Sequence, residues 1–252
     1  MPSPTRTIFF LGATGGVALS VLRRSLAAGH ICVALCRTPS KLHGLLDESE
    51  ANSPNLTIEQ GNALNVDDIV RCLNARGPVD TIVSSIGGYM QYSKMENDDP
   101  HVCENGMEAL LQALSQYRAA EKNKPDFFSP RLFVVSTTGV SDVARRIPVL
   151  LIPLYATLIK SPAKDKAAME KVLITSEEKT WTIVRPSIFT DGPEAAPGTV
   201  TEGIEDPVAG VDVVPFVAGY TISRLDVGKW IFEKLVQKEE EKYVKKAVMI
   251  SY

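Results

Sequence analysis

Glycines at Gly12-x-x-Gly15-x-x-Ala18 separate an apolar run over residues 8–11 from a segment carrying Val17, Val21, Leu22 and Leu26 at helical spacing. Strand, tight turn and helix in that order expose helix N–H groups and the positive end of a helix dipole, and glycines let a pyrophosphate approach the backbone. Gly12 is expected to make the turn, Gly15 to permit the approach and Ala18 to be small enough for helix-on-sheet packing, with Thr14, Gly16 and Val17 completing the cradle. The guest that suits such a junction is a dinucleotide phosphate.

The end of the second expected strand selects the dinucleotide. It reads Cys36-Arg37-Thr38, then Lys41, with no acid before Asp47. An acid there would bond a ribose 2′-hydroxyl, whereas cations accommodate a 2′-phosphate, so the sequence favours NADP(H) over NAD(H).

These residues work together only if a parallel sheet aligns them. Apolar runs at 31–36, 56–59, 81–86, 132–135, 181–184 and 247–250 read as further strands. Helical periodicity at about 66–75, 101–120, 163–175 and 224–237 alternates with them. The βαβα order predicts an α/β fold, a Rossmann-type doubly wound parallel sheet. A single domain over 1–252 is expected, with the substrate-side elements within about 140–225. The stretch 190–220, interrupted by Gly and Pro and weakly periodic, reads as a long functional loop.

Ligands of open parallel sheets lie beyond the carboxyl ends of the strands. Here those ends supply Gly12 and Thr14, Arg37 and Thr38, Asn62 and Ala63, Ser85 and Gly87, Ser136 and Thr138, and Pro186. A rim of small, polar and cationic residues suits a long cofactor against backbone, with space for a small-molecule substrate beside Thr138.

Bulk properties narrow the classes further. With 252 residues, 44% of them hydrophobic, the chain can bury a full core. The formal net charge of −3 and the absence of a basic stripe argue against nucleic acid as a partner. Cys32, Cys36, Cys72 and Cys103 show no metal-ligand or C-x-x-C spacing; Cys32 and Cys36 share strand parity and suit buried hydrophobes, which implies a reducing compartment and no metal. No signal peptide and no run of roughly 20 apolar residues is present, so a soluble, cytoplasmic protein without a membrane partner is expected, as monomer or homodimer. His30, His43 and His101 share no motif and read as surface or helix-end residues, and the charged cluster 238–246 as a solvated helix end. Trp181 alternates with Ile183 and belongs to the core, while Ser223 is placed as an N-cap with Asp226 in the first turn.

Taken together, the glycine turn, Arg37-Thr38-Pro39-x-Lys41, Val135-Ser136-Thr137, Asp165-Lys166-x-x-Met169-Glu170, Trp181-Thr182-Ile183-Val184-Arg185-Pro186 and Ile222-Ser223-Arg224-x-Asp226-Val227 resemble the atypical short-chain dehydrogenase/reductases. The nearest branch is the NmrA-like and flavin/biliverdin-reductase-like NAD(P)-binding proteins, and the resemblance spans nearly the whole chain. It implies a Rossmann-type fold holding NADPH. That branch includes reductases, isomerases and redox-sensing regulators, so a reductase of a small carbonyl or conjugated-ring compound, a cofactor-sensing regulator and an isomerase or cyclase all stay open.

The usual active site of the resembled family pairs a Tyr with a Lys four residues later, beside a Ser or Thr at the end of the fifth strand. Lys166 matches the lysine, but Pro162 stands where the tyrosine should be. Tyr155 precedes Lys160 by five residues, which on a helix separates them by about 140°. If hydride transfer occurs, the proton comes from Thr138, Tyr155, Lys166 or solvent.

Overall fold

The computed structural model describes residues 4–88, 90–91, 96–121, 129–141, 143, 160–216 and 219–252. Its strands are β1 (Thr7–Leu11), β2 (Ile31–Cys36), β3 (Leu56–Gln60), β4 (Thr81–Ser84), β5 (Met90–Gln91), β6 (Glu96–Asn97), β7 (Arg131–Val135), β8 (Trp181–Pro186), β9 (Ile188–Thr190), β10 (Thr201–Asp206), β11 (Val211–Val214), β12 (Thr221–Ser223) and β13 (Lys246–Ser251). Its α-helices are α1 (Gly16–Ala27), α2 (Pro39–His43), α3 (Glu48–Ala51), α4 (Val66–Leu73), α5 (Val102–Glu121), α6 (Lys160–Ile174) and α7 (Arg224–Trp230). The chain forms two compact units, each from discontinuous segments.

The first unit takes Met1–Ser85, Ala109–Phe133 and Gly228–Glu239. β1 lies between β2 and β4, parallel to both, and β2 is followed by β3, also parallel. Every residue of β1 is buried, as its run Thr-Ile-Phe-Phe-Leu requires of a strand covered on both faces. Burying Phe9 and Phe10 alone contributes about 1.5–3 kcal/mol each. α1 buries Val17, Ala18, Val21 and Leu22 and carries Arg23 and Arg24 away from that stripe. Past its end Gly29 takes φ 80°, a left-handed conformation that glycine adopts without penalty.

The second unit takes Ile86–Glu108, Val134–Val227 and Glu240–Tyr252. β8 is parallel to β13, which pairs antiparallel with β10, and β10 pairs antiparallel with β11. β9 and β12 make a separate parallel pair. A mostly parallel sheet with flanking helices is the Rossmann-like arrangement that the element order predicts.

Several expectations need correction. The stretch 190–220 is no long loop: it holds the β10–β11 hairpin, turned at Asp206, whose side chain accepts from the N–H groups of Val208 and Ala209, and at Gly210 with φ 68°. β8 continues through Arg185 and Pro186, which pair with Met249 and Ile250. β4 stops at Ser84 rather than at 86. The helix at 224–237 turns from α to π geometry after Trp230. His30 is buried, 1% exposed, because Arg6 N–H donates to its Nδ1 at 3.3 Å and the ring packs against Phe232. The cluster 238–246 is exposed at Lys238, Glu241, Lys242 and Lys245, as a solvated helix end should be, but it is tied down at two points: Glu239 pairs with Arg6 and Arg131, and Lys246 with Asp206. Trp181 is buried as expected, and all four cysteines are buried free thiols.

Candidate functional site

In the first unit the carboxyl ends of four strands meet at one edge. Leu11 is in register with Leu35 and with Ser84, and Cys36 with Gln60. Gly12, Arg37, Asn62 and Ser85 therefore leave the sheet side by side; Ser85 N–H donates to Leu11 C=O at 2.9 Å, and Gly61 N–H to Cys36 C=O at 3.0 Å.

The glycine turn has the parts expected of it. Gly12 takes φ 78°, and Gly15 N–H closes the turn on Gly12 C=O at 2.9 Å. A Cβ on Gly15 would stand 3.3 Å from that carbonyl oxygen. Gly15 is also the N-cap of α1 and brings no side chain to the helix end, and no acid lies in the first turn. The N–H groups of Gly16, Val17 and Ala18 precede the first helical bond, from Leu19 to Gly15. Thr14 and Gly16 are half-buried and Val17 is buried beneath them. Arg37, Thr38 and Lys41 are exposed directly beyond β2, where Pro39 opens α2 with Thr38 as an N-cap that makes no side-chain bond. An uncapped helix start beside exposed cations fits the phosphates of a dinucleotide.

Asn62 is held by a residue the sequence reading missed. Its N–H donates to Asp68 at 2.9 Å, and its side-chain oxygen accepts from Leu64 N–H at 3.1 Å, so its backbone is fixed and Ala63 follows in a tight turn. The Asn62 N–H and the Arg71 guanidinium keep the Asp68 carboxyl below the usual carboxylate range. An acid placed early in α4 was the only local signal of this.

In the second unit α6 carries the chemistry-bearing residues. Lys166 Nζ donates to the carbonyls of Ile86 and Val135 at 2.7 Å each, so its ammonium is pinned to the chain just before Gly87 and Ser136. Gly87 is exposed. Asp165, 2% exposed, accepts from the N–H groups of Cys103 and Glu104 at 3.0 Å each and so caps the first turn of α5. Burial pushes the Cys103 thiol up to about 11, which keeps it a neutral donor toward Ile86 C=O rather than a nucleophile.

At the end of β7, Ser136 N–H donates to Val184 C=O at 2.7 Å, while its buried hydroxyl has no partner among the described residues. An orphaned buried hydroxyl is costly and fits a ligand that completes it. Thr138 opens the 3₁₀ turn Thr138–Val140 and is buried, and Pro186 closes β8. Tyr155 lies outside the described residues.

A buried ionic network was only half visible in the sequence. Arg185 grips Glu170 of α6 through Nε and Nη2 and reaches Glu205 of β10 through Nη1, and none of the three exceeds 3% exposure. Burial pulls the Arg185 pKa down, but Glu170 and Glu205 outweigh it and hold the guanidinium above its ordinary value. Ser223 caps as expected: its Oγ accepts from Asp226 N–H, and the Asp226 carboxylate also takes Tyr252 O–H and Ala195 N–H. Among the described residues no cluster of His, Cys, Asp or Glu could hold a metal ion, and no helix is long and apolar enough to cross a membrane.

The sequence profile described as NAD(P)H-binding matches residues 12–238. The chain is 38% identical to a protein named reductase pytE of Aspergillus terreus over the full length of both, and 32% identical to one named oxidase pynE of Aspergillus niger over 91% of this chain and 92% of that protein. Among solved structures, the anaerobillin reductase ChuY of Escherichia coli O157:H7 superposes with TM-score 0.67 at 18% identity, covering 97% of this chain and 96% of that one. With the profile running from the glycine turn to the end of the last helix, the chain belongs to the NAD(P)H-binding family, whose cofactor is a nicotinamide dinucleotide.

Proposed function

We propose that this chain is an oxidoreductase that uses NADPH to reduce a small organic compound bearing a carbonyl or a conjugated ring. The observation that carries the reading is the edge of the first unit, where β1, which leads to the uncapped start of α1, is in register with β2, which leads to the exposed cations Arg37 and Lys41. The names of the two fungal relatives, one a reductase and one an oxidase, support redox chemistry.

Each residue has a definite task in this reading. The N–H groups of Gly16 and Val17 bind the pyrophosphate, with Gly12, Thr14 and Gly15 shaping the approach. Arg37, Thr38 and Lys41 take the 2′-phosphate, and Asn62, Ala63 and Ser85 line the adenosine side. Lys166 keeps two of its N–H groups on backbone carbonyls and offers the third to the ribose beside Gly87. Ser136 and Pro186 bound the nicotinamide end. The bound cofactor supplies a hydride. Thr138, Tyr155, Lys166 or solvent returns the proton; a conjugated ring asks little of that donor, because the ring itself takes up the charge.

Pro162 in place of the family's tyrosine favours a second reading, a cofactor-sensing regulator that binds NADPH without turning it over. Purified protein assayed for NADPH consumption over quinones, flavins and ketones, with NADPH binding titrated in parallel, decides between them. Turnover with any acceptor supports the reductase, and binding without turnover supports the sensor. Absence of NADPH binding overturns both.

A further inference from the structure

Within the second unit, Glu170, Arg185, Glu205 and Ser141 are joined by a chain of short polar contacts. Lys166 and Glu170 stand four residues apart on α6 and so share a face. Lys166 is bonded to the carbonyl of Val135 at the end of β7, and Glu170 to Arg185 near the end of β8. The other arm of the Arg185 fork reaches Glu205 at 2.6 Å. Glu205 then accepts the Ser141 hydroxyl at 2.5 Å, and Ser141 follows directly on the Thr138–Val140 turn. Ser141 Oγ in turn accepts Val143 N–H at 3.3 Å.

Two carboxylates around one guanidinium, all buried, are expensive to desolvate, and such a group adds little stability over well-packed apolar side chains. What it does supply is fixed direction, since a guanidinium fork bonds its partners only in its own plane. Glu205 comes from the β10 hairpin, far from the helix in sequence, and its carboxylate bonds Ser141 and Arg185, both of which lead back to the proposed site.

We propose that Glu205 is a positioning residue: by holding Ser141 and Arg185 together it sets the Thr138 turn against the helix that carries Lys166. This rests on the reading that Thr138 and Lys166 serve substrate and cofactor. Glu205 touches neither; it acts through Ser141, and the hairpin that bears it becomes part of the active-site scaffold.

The test uses the full chain with Glu205→Gln, Ser141→Ala and Ser141→Thr. Three readouts are needed: amide hydrogen exchange over residues 136–143, NADPH titration, and steady-state NADPH oxidation with menadione. Ser141→Ala removes only a half-buried hydroxyl, so it remains readable should Glu205→Gln fail to fold. In both Glu205→Gln and Ser141→Ala, exchange at 138–141 should be faster than in the wild type by about tenfold or more, with NADPH affinity within about twofold. kcat should fall at least about tenfold, since an ångström of misplacement can cost about a hundredfold. Ser141→Thr, which keeps the hydroxyl, should restore both. Unchanged exchange and kcat would overturn the proposal, as would a loss of NADPH affinity and thermal stability in step with kcat, the mark of a merely structural contact. Failure of the wild type to oxidise NADPH would instead count against the reductase reading, while the exchange measurement still decides whether Glu205 orders the turn.

Discussion

Replacing Arg37 by Ala should convert a clear preference for NADPH into near indifference. The register of Leu11 with Leu35 puts Arg37 one residue beyond the strand position level with Gly12, so its side chain starts beside the glycine turn. A hydrogen bond between charged partners contributes about 1.5–3 kcal/mol. Arg37 is exposed, and solvent screening brings the expected value to the low end, about 1.4 kcal/mol or tenfold in Kd. Lys41, exposed in the middle of the five-residue α2, should contribute about threefold as a point charge. Calorimetric titration should show the NADPH Kd of Arg37→Ala rising about tenfold while the NADH Kd moves less than about twofold. The preference of the wild type should also shrink as salt is raised. Equal wild-type affinities for the two cofactors, or an NADPH preference that survives loss of both cations, would refute the reasoning.

Further outcomes follow from other parts of the structure. Gly15→Val should abolish dinucleotide binding, by about a hundredfold or more in Kd, with an unchanged circular dichroism spectrum, because its Cβ stands 3.3 Å from Gly12 C=O and its methyls fill the phosphate approach; retained affinity would show that the turn cradles no phosphate. Lys166→Ala should raise the NADPH Kd and also lower the thermal midpoint, since it takes a charge-assisted bond from each of the carbonyls of Ile86 and Val135; a change in only one of the two would separate the roles. Tyr155→Phe should keep turnover within about tenfold, whereas a loss near a thousandfold would make Tyr155 the general acid. Burial first, and then Arg6, hold the His30 pKa below its ordinary 6.5, with Asp80 opposing. As pH falls the unfolded chain therefore takes up this proton first, so the stability present above that value is lost as pH drops through the folded-state pKa. Denaturation midpoints measured down this range should show a decline that His30→Gln flattens, and parallel slopes would contradict it.

Much of the first unit is readable because β1, β2 and β4 are buried along nearly their whole length. β1 is an apolar run that ends in a glycine turn and β2 one that follows a helix stop, and no partner distant in sequence is needed to recognise them. The hairpin in the second unit hides for the opposite reason. β10 reads Thr-Glu-Gly-Ile-Glu-Asp, and its carboxylates are paired with Lys242, Arg185 and Lys246 and bonded by the Tyr243 hydroxyl, all remote in sequence. β11 leaves its three valines exposed, so neither strand shows the alternation that a half-buried strand should. The same limit applies to the site: the motif around Lys166 and Glu170 marks the residues, but which carbonyls and which guanidinium they meet is a property of the sheet. His30 read as a surface or helix-end residue; it does follow the end of α1, but nothing local announces that Arg6 lies beside it and that it is buried.

The place of β13 bears on how the chain is made. It sits between β8 and β10, bonded to both along its length, so that residues 246–251 form the seam joining strands that precede them by some forty residues or more. During synthesis β8 and β10 must wait with open edges until that seam has left the ribosome and threaded between them. Unpaired strand edges are the templates on which nascent chains misassociate. The second unit is therefore dependent on late assembly, and losing the few residues of β13 would leave two open edges instead of trimming one.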